Sequence, residues 1–158
     1  MHRPERWSRL GAMAFVVVAL IGCSSKDREE SVAARGPEVM PFDLDRTTHR
    51  FTPTQRGLVE DVVADDPDDV EQVELIRTHL VEEADRFESG DFGDPAEIHG
   101  REMPGLAELE AGAADIQIRY DDLPDGARIT FSTSNTELVT ALERWGAAQV
   151  DDHGEHAE

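Results

Sequence analysis

Twice in this chain a pair of alternating apolar segments folds back around a turn and then runs into a helical stripe. That repetition limits the folds available more than any other feature. In Thr48-His49-Arg50-Phe51-Thr52, His49 and Phe51 share one face of a strand and Arg50 takes the other. Pro53 to Gly57 supplies a turn, and Leu58 to Val63 returns. Further along, Ile116, Ile118 and Tyr120 alternate with Gln117, Arg119 and Asp121. Leu123-Pro124-Asp125-Gly126 is the turn, in which proline presets φ and glycine is expected to accept a positive φ. Ala127, Ile129 and Phe131 then continue the pattern on the return strand.

Each hairpin leads into a helix. Asp66-Pro67 is read as N-cap and first helical residue, followed by a stripe of Val70, Val73, Ile76, Leu80, Ala84 and Phe87 that ends near Gly90. Ser134-x-x-Glu137 has the form of a capping box, and Leu138, Ala141, Leu142, Trp145 and Ala148 share one side of the helix it opens. Gly154 is the expected C-cap. Asp94-Pro95 and the stretch Pro104 to Ala111 predict two shorter helices between the units. The fold class that follows is α+β: two β-hairpins form a four-stranded antiparallel sheet, covered on one face by the two longer helices. This domain spans residues 47–154, with a disordered tail at 155–158.

The N-terminus carries a different message. Arg3, Arg6 and Arg9 precede an apolar run from Leu10 to Ile21, and Leu20-Ile21-Gly22-Cys23 closes it. A basic head, a short apolar stretch and small residues at a cleavage point are the parts of a secretory signal peptide, here residues 1–22. The run is too short for a membrane span, which takes roughly 20 apolar residues. Its ending resembles the lipobox of bacterial lipoproteins, a resemblance that implies diacylglyceryl attachment to the Cys23 thiol, cleavage before it and acylation of the new N-terminus. Two or three acyl chains, at about 0.8 kcal/mol per buried methylene, would anchor the protein stably at the extracytoplasmic face of the cell membrane. Residues 23–46 mix Ser, Glu, Pro, Gly and Asp with little apolar periodicity, and are expected to form a flexible tether.

The formal net charge is −20, with 35 acidic against 15 basic residues. That balance argues against nucleic acid, which requires a basic footprint, and against a polybasic grip on anionic headgroups. It favours cations or a basic protein or envelope partner. Phosphate-binding glycine loops, a Gly-x-Ser-x-Gly elbow and a spare cysteine nucleophile are all missing, so no catalytic residue is assigned and an enzyme is not expected.

Histidine is the remaining chemistry. His49 faces inward with Phe51, His79 flanks the stripe of its helix, His99 lies in an Ile-His-Gly corner, and His153 follows Gln149 by one turn. With Met103 nearby in sequence they form a candidate metal set: imidazole with thioether suits copper, especially Cu(I), and imidazole with carboxylate suits zinc. No His-x-x-His or His-Glu-x-x-His spacing is present. The alternative is a non-catalytic protein- or envelope-binding module whose histidines are structural. His156 is expected to be solvated.

His-Arg-Phe (49–51), Ile-Arg-Thr-His-Leu (76–80), Gly-Asp-Phe-Gly-Asp-Pro (90–95), Ile-His-Gly-x-x-Met-Pro-Gly-Leu (98–106) and Trp-x-x-x-Gln-x-x-Asp-His-Gly (145–154) together resemble a group of small exported bacterial proteins. Some of that group bear the label aspartate carbamoyltransferase. The residues here contradict the label: the Ser-Thr-Arg-Thr-type loop for carbamoyl phosphate is missing, and that cytosolic enzyme is about twice as long. The group's histidine motifs coincide with His49, His79, His99 and His153, which adds weight to a shared metal site.

Overall fold

The computed structural model describes residues 25–158. The expected signal peptide (1–22) and Cys23, the expected site of lipid attachment, lie outside the described residues. Strands β1 (Thr47–Thr54) and β2 (Gly57–Ala64) make one hairpin, β3 (Gln117–Leu123) and β4 (Gly126–Ser132) the other. β2 pairs antiparallel with β4, which gives a four-stranded sheet in the order β1-β2-β4-β3. The glycines that begin the two central strands are required by close approach. A Cβ on Gly126 would lie 2.0 Å from the Val62 carbonyl oxygen, and Gly126 has no positive φ, contrary to expectation. Gly57 combines φ of 146° with a carbonyl that a Cβ would meet at 2.2 Å.

The period-two pattern separates the faces. Thr47, His49 and Phe51 of β1, Leu58 and Val62 of β2, and Ala127, Ile129 and Phe131 of β4 are buried. The other face carries a row of alternating charge: Arg50 lies opposite Asp61, Asp61 opposite Arg128, and Arg128 opposite Asp121. Arg128 grips the Asp61 carboxylate with two hydrogen bonds of 2.5 and 2.7 Å. This is the solvated face expected of a half-covered antiparallel sheet.

The elements along the chain are α1 (Ser25–Val39), α2 (Val70–Glu88), α3 (Gly93–His99), α4 (Leu106–Gly112) and α5 (Thr136–His153). The two long helices cover the buried face, α2 over β3 and β4 and α5 over β1 and β2. The expected fold class is the one observed. Trp145 of α5 is fully buried at the centre, with Phe51, Phe87, Phe92 and Phe131 within 6.3 Å between ring centroids. Gly146 beside it lets α5 settle onto β2, since a Cβ there would come within 2.9 Å of the Leu58 side chain.

Caps differ from the sequence reading by a few residues. α2 is capped by Asp69, whose side chain accepts from the Gln72 amide, while Asp66 instead holds the Asp68 amide in the preceding turn. For α5 the cap is Asn135, bonded to the Glu137 amide at 2.9 Å, and not Ser134. Gly154 caps α5 as expected, with its amide on the Val150 carbonyl.

Two larger corrections concern the ends. Residues 25–46 are not a flexible tether: they form α1 and a 3₁₀ turn at Leu44–Arg46, and bury Val32, Met40 and Phe42 in the core. Arg28 bonds Asp152 and the His99 carbonyl, and Arg35 the Glu97 carbonyl, so α1 is clamped to α3 and α5. Likewise 155–158 are not disordered. The Glu158 amide bonds the His49 carbonyl and the Phe51 amide bonds the Glu158 carbonyl, both at 2.9 Å. The tail thereby covers the free edge of β1. Among the described residues no helix is long and apolar enough to cross a membrane.

A buried imidazole cluster as candidate metal centre

A cavity of about 50 Å³ lies between the two long helices and the sheet. Its walls come from every layer. β1 and β2 contribute His49 and Glu60, α2 contributes His79 and Glu83, α3 contributes His99, and α5 contributes Trp145, Gln149 and His153. Met40 and Phe42, from the segment expected to be a tether, close it. Helical spacing explains the α5 row, since residues four apart stand above one another on one face. Strand alternation does the same for His49.

All four expected histidines line this one cavity. His153 is the middle member. Its ring centroid is 5.0 Å from that of His49, the planes nearly parallel, and 5.0 Å from that of His99, the planes edge-on. His79 is reached through Phe42, whose ring lies 5.6 Å from His79 and 5.9 Å from His49. Met103 is buried but does not line the cavity. Its backbone serves the turn between α3 and α4, accepting from the Leu106 amide, and its thioether belongs to the core. The thioether on the cavity wall is instead that of Met40. His156, expected to be solvated, is half-buried, 3.6 Å from the Asp45 carboxylate and close enough to His49 and His153 to influence both.

Burial favours the uncharged form of these imidazoles. His49 is pushed down to about 4, first by desolvation and then by His79, His99 and His156. His153 is driven lower still, by burial and by His49 and His99. Desolvation lowers His99 too, against the opposing pull of Asp152. His79 is lowered by burial and raised in part by Asp94. Neutral imidazole is the form that ligates a metal.

Asp152 was missed by the sequence reading, although it falls on the buried side of α5 three residues after Gln149. Its carboxylate lies 2.9 Å from His99 Nδ1. A carboxylate only accepts, so Nδ1 carries the proton and Nε2 keeps its lone pair, the arrangement found behind metal-bound histidines. Arg28 holds the same carboxylate in place. His49 Nδ1, Trp145 Nε1 and Gln149 Oε1 are buried polar atoms with no hydrogen-bond partner, and all three residues line the cavity. Groups of this kind are normally paired, because each lost bond costs roughly 1–3 kcal/mol.

Glu60 and Glu83 were also missed. Both are pushed up to about 8, Glu60 by burial and then Asp61, Glu83 by burial and then Asp94. Among the described residues, no three His, Cys, Asp or Glu side chains are already disposed around one ion position. The chain matches no family model, no curated protein and no solved structure.

Proposed function

We propose that the protein is a lipid-anchored, extracytoplasmic domain that binds one transition-metal ion in the cavity between α2 and α5. His49, His99 and His153 are the ligands, with His79 at the margin. The observation that carries this reading is the spacing of three rings, with His49 and His99 each 5.0 Å from His153 between centroids. Nitrogen ligands 2.0–2.1 Å from a tetrahedral ion would hold imidazole centroids about 5 Å apart. The unpartnered His49 Nδ1 and the Asp152-fixed tautomer of His99 support the same reading. The acidic surface would draw cations towards the domain.

Anchoring rests on Cys23 and the Leu-x-Gly-Cys ending. Mass spectrometry of the protein from its host should find an N-terminus at Cys23 bearing diacylglycerol; an intact leader in the soluble fraction would remove the anchor. For the metal, the detergent-purified protein should take up one equivalent of Zn(II) or Cu(II), measured by elemental analysis after gel filtration. His49→Gln and His153→Gln should each abolish uptake while leaving far-UV dichroism unchanged. A wild-type protein that folds but retains no ion would make the histidines structural and favour the binding-module alternative.

A further inference from the structure

Glu60 sits where an acid is least expected. On β2 it lies between Leu58 and Val62, both fully buried, and it shares their helix-covered face. Its cross-strand neighbours are Phe51 on β1 and Ile129 on β4, both buried. Among the described residues no arginine or hydrogen-bond donor compensates it; the acids near it are Asp61 and Glu83. Its fellow on the other face shows the contrast, since Asp61 is held by Arg128. Glu60 is half-buried, and an acid drawn out of water without a counter-charge is costly; such groups are usually paired or bound to metal.

The same cavity wall supplies the partner. His49 pairs with Val62 across the β1–β2 ladder, so Glu60 is its diagonal neighbour on the buried face. Diagonal neighbours stand about 7 Å apart, within common reach of one ion for a glutamate and a histidine. His49 is 4% exposed, and its Nδ1 has no partner. Both residues line the cavity that His99 and His153 also face.

We infer that Glu60 is the anionic ligand that completes the imidazole site, and that the ion is a borderline divalent cation of the zinc type. This rests on the metal-binding reading above. Three imidazoles and one carboxylate make a tetrahedral donor set suited to zinc. Met103 lies outside the cavity but Met40 lines it; the carboxylate, a hard oxygen donor, is what favours a divalent ion over Cu(I). The carboxylate also offsets part of the charge of a divalent ion, on a wall that Glu83 and Asp94 share.

The test compares the full-length protein in detergent with Glu60→Gln and Glu60→Asp, using Zn(II) affinity by chelator competition and the visible d–d spectrum of the Co(II) form. Glu60→Gln keeps the shape and removes the charge. It should weaken Zn(II) binding by at least about tenfold, the scale of loss already seen for groups one shell further from a metal. It should also shift the Co(II) bands, which a purely structural role would leave in place. Glu60→Asp withdraws the carboxylate by one methylene and should weaken binding as well. Wild-type affinity and an unchanged Co(II) spectrum in either folded variant would overturn the assignment while leaving the imidazole site standing. Absence of ion binding by the wild type would remove the site itself, and Glu60 with it.

Discussion

At the scale of single residues, Glu60 and His49 put opposite pH dependences into the metal-free protein. Burial raises Glu60 to about 8, whereas the unfolded chain releases that proton near 4.5. Between those values the folded state binds more protons, so stability falls as pH rises. His49 is the reverse. Its folded value of about 4 lies below 6.5, so the stability of the neutral ring is lost as pH falls through that window. Above pH 6.5 the imidazole contribution is complete and only the acids act. Denaturant unfolding of the metal-free protein should therefore show stability declining from pH 6.5 to 8. One full proton would give about 1.4 kcal/mol per pH unit, and water reaching the half-buried Glu60 makes the slope shallower. Glu60→Gln should flatten the decline, leaving the share due to Glu83. Equal wild-type stability at both ends of this window would show that Glu60 is ionised in the folded state. The inward histidines were legible in the sequence because Phe51 and Trp145 mark the buried faces on which they lie. Glu60 was not, because Leu58-Val59-Glu60-Asp61-Val62-Val63 gives each strand face two apolar residues and one acid. Only the Asp61–Arg128 pair, formed across strands far apart in sequence, decides which acid turns inward.

At the scale of elements, the long helices and both hairpins followed from periodicity, while the starts of the helices did not. Several Asp, Ser and Asn residues near each start can hold a backbone amide, and the geometry of the incoming strand selects among them. The selection is measurable. Asn135→Ala should destabilise the fold by about 1 kcal/mol and Ser134→Ala hardly at all; the opposite ranking in urea denaturation would restore the Ser134 cap. Residues 25–46 illustrate a different limit. Averaged over that segment the composition is polar, yet Val32, Met40 and Phe42 are enough to dock it once Arg28 and Arg35 find acceptors on α3 and α5. A compositional argument weighs the mean, and docking depends on a few well-placed residues. Phe42→Ala should accordingly cost about 3–5 kcal/mol, the range for a buried phenylalanine. A true tether would tolerate it without change in the denaturation midpoint.

At the scale of the whole molecule, the cavity is the place where sequence-distant segments meet: β1, β2, α2, α3, α5 and the 39–42 stretch each supply part of its wall. An ion held there would tie the sheet to α3 and α5 at once. Because His49, His99 and His153 belong to three different elements, an ion bound by all three binds the folded chain and not the unfolded one. Linkage then sets the gain in stability at about 2.7 kcal/mol when free ion stands at 100 times its Kd. For a chain of this size that amounts to a rise in Tm of roughly 5–10 °C. Hydrogen exchange distinguishes such a staple from casual surface binding by the acidic exterior. Zn(II) should raise protection together in β1, the end of α3 and the last turns of α5, since loss of any one releases a ligand. His153→Gln should cancel the increase in all three, although it alters only α5. Protection confined to exposed acidic stretches such as 65–69, or a Tm shift that survives His153→Gln, would place the ion on the surface and leave the buried rings without a role in binding it.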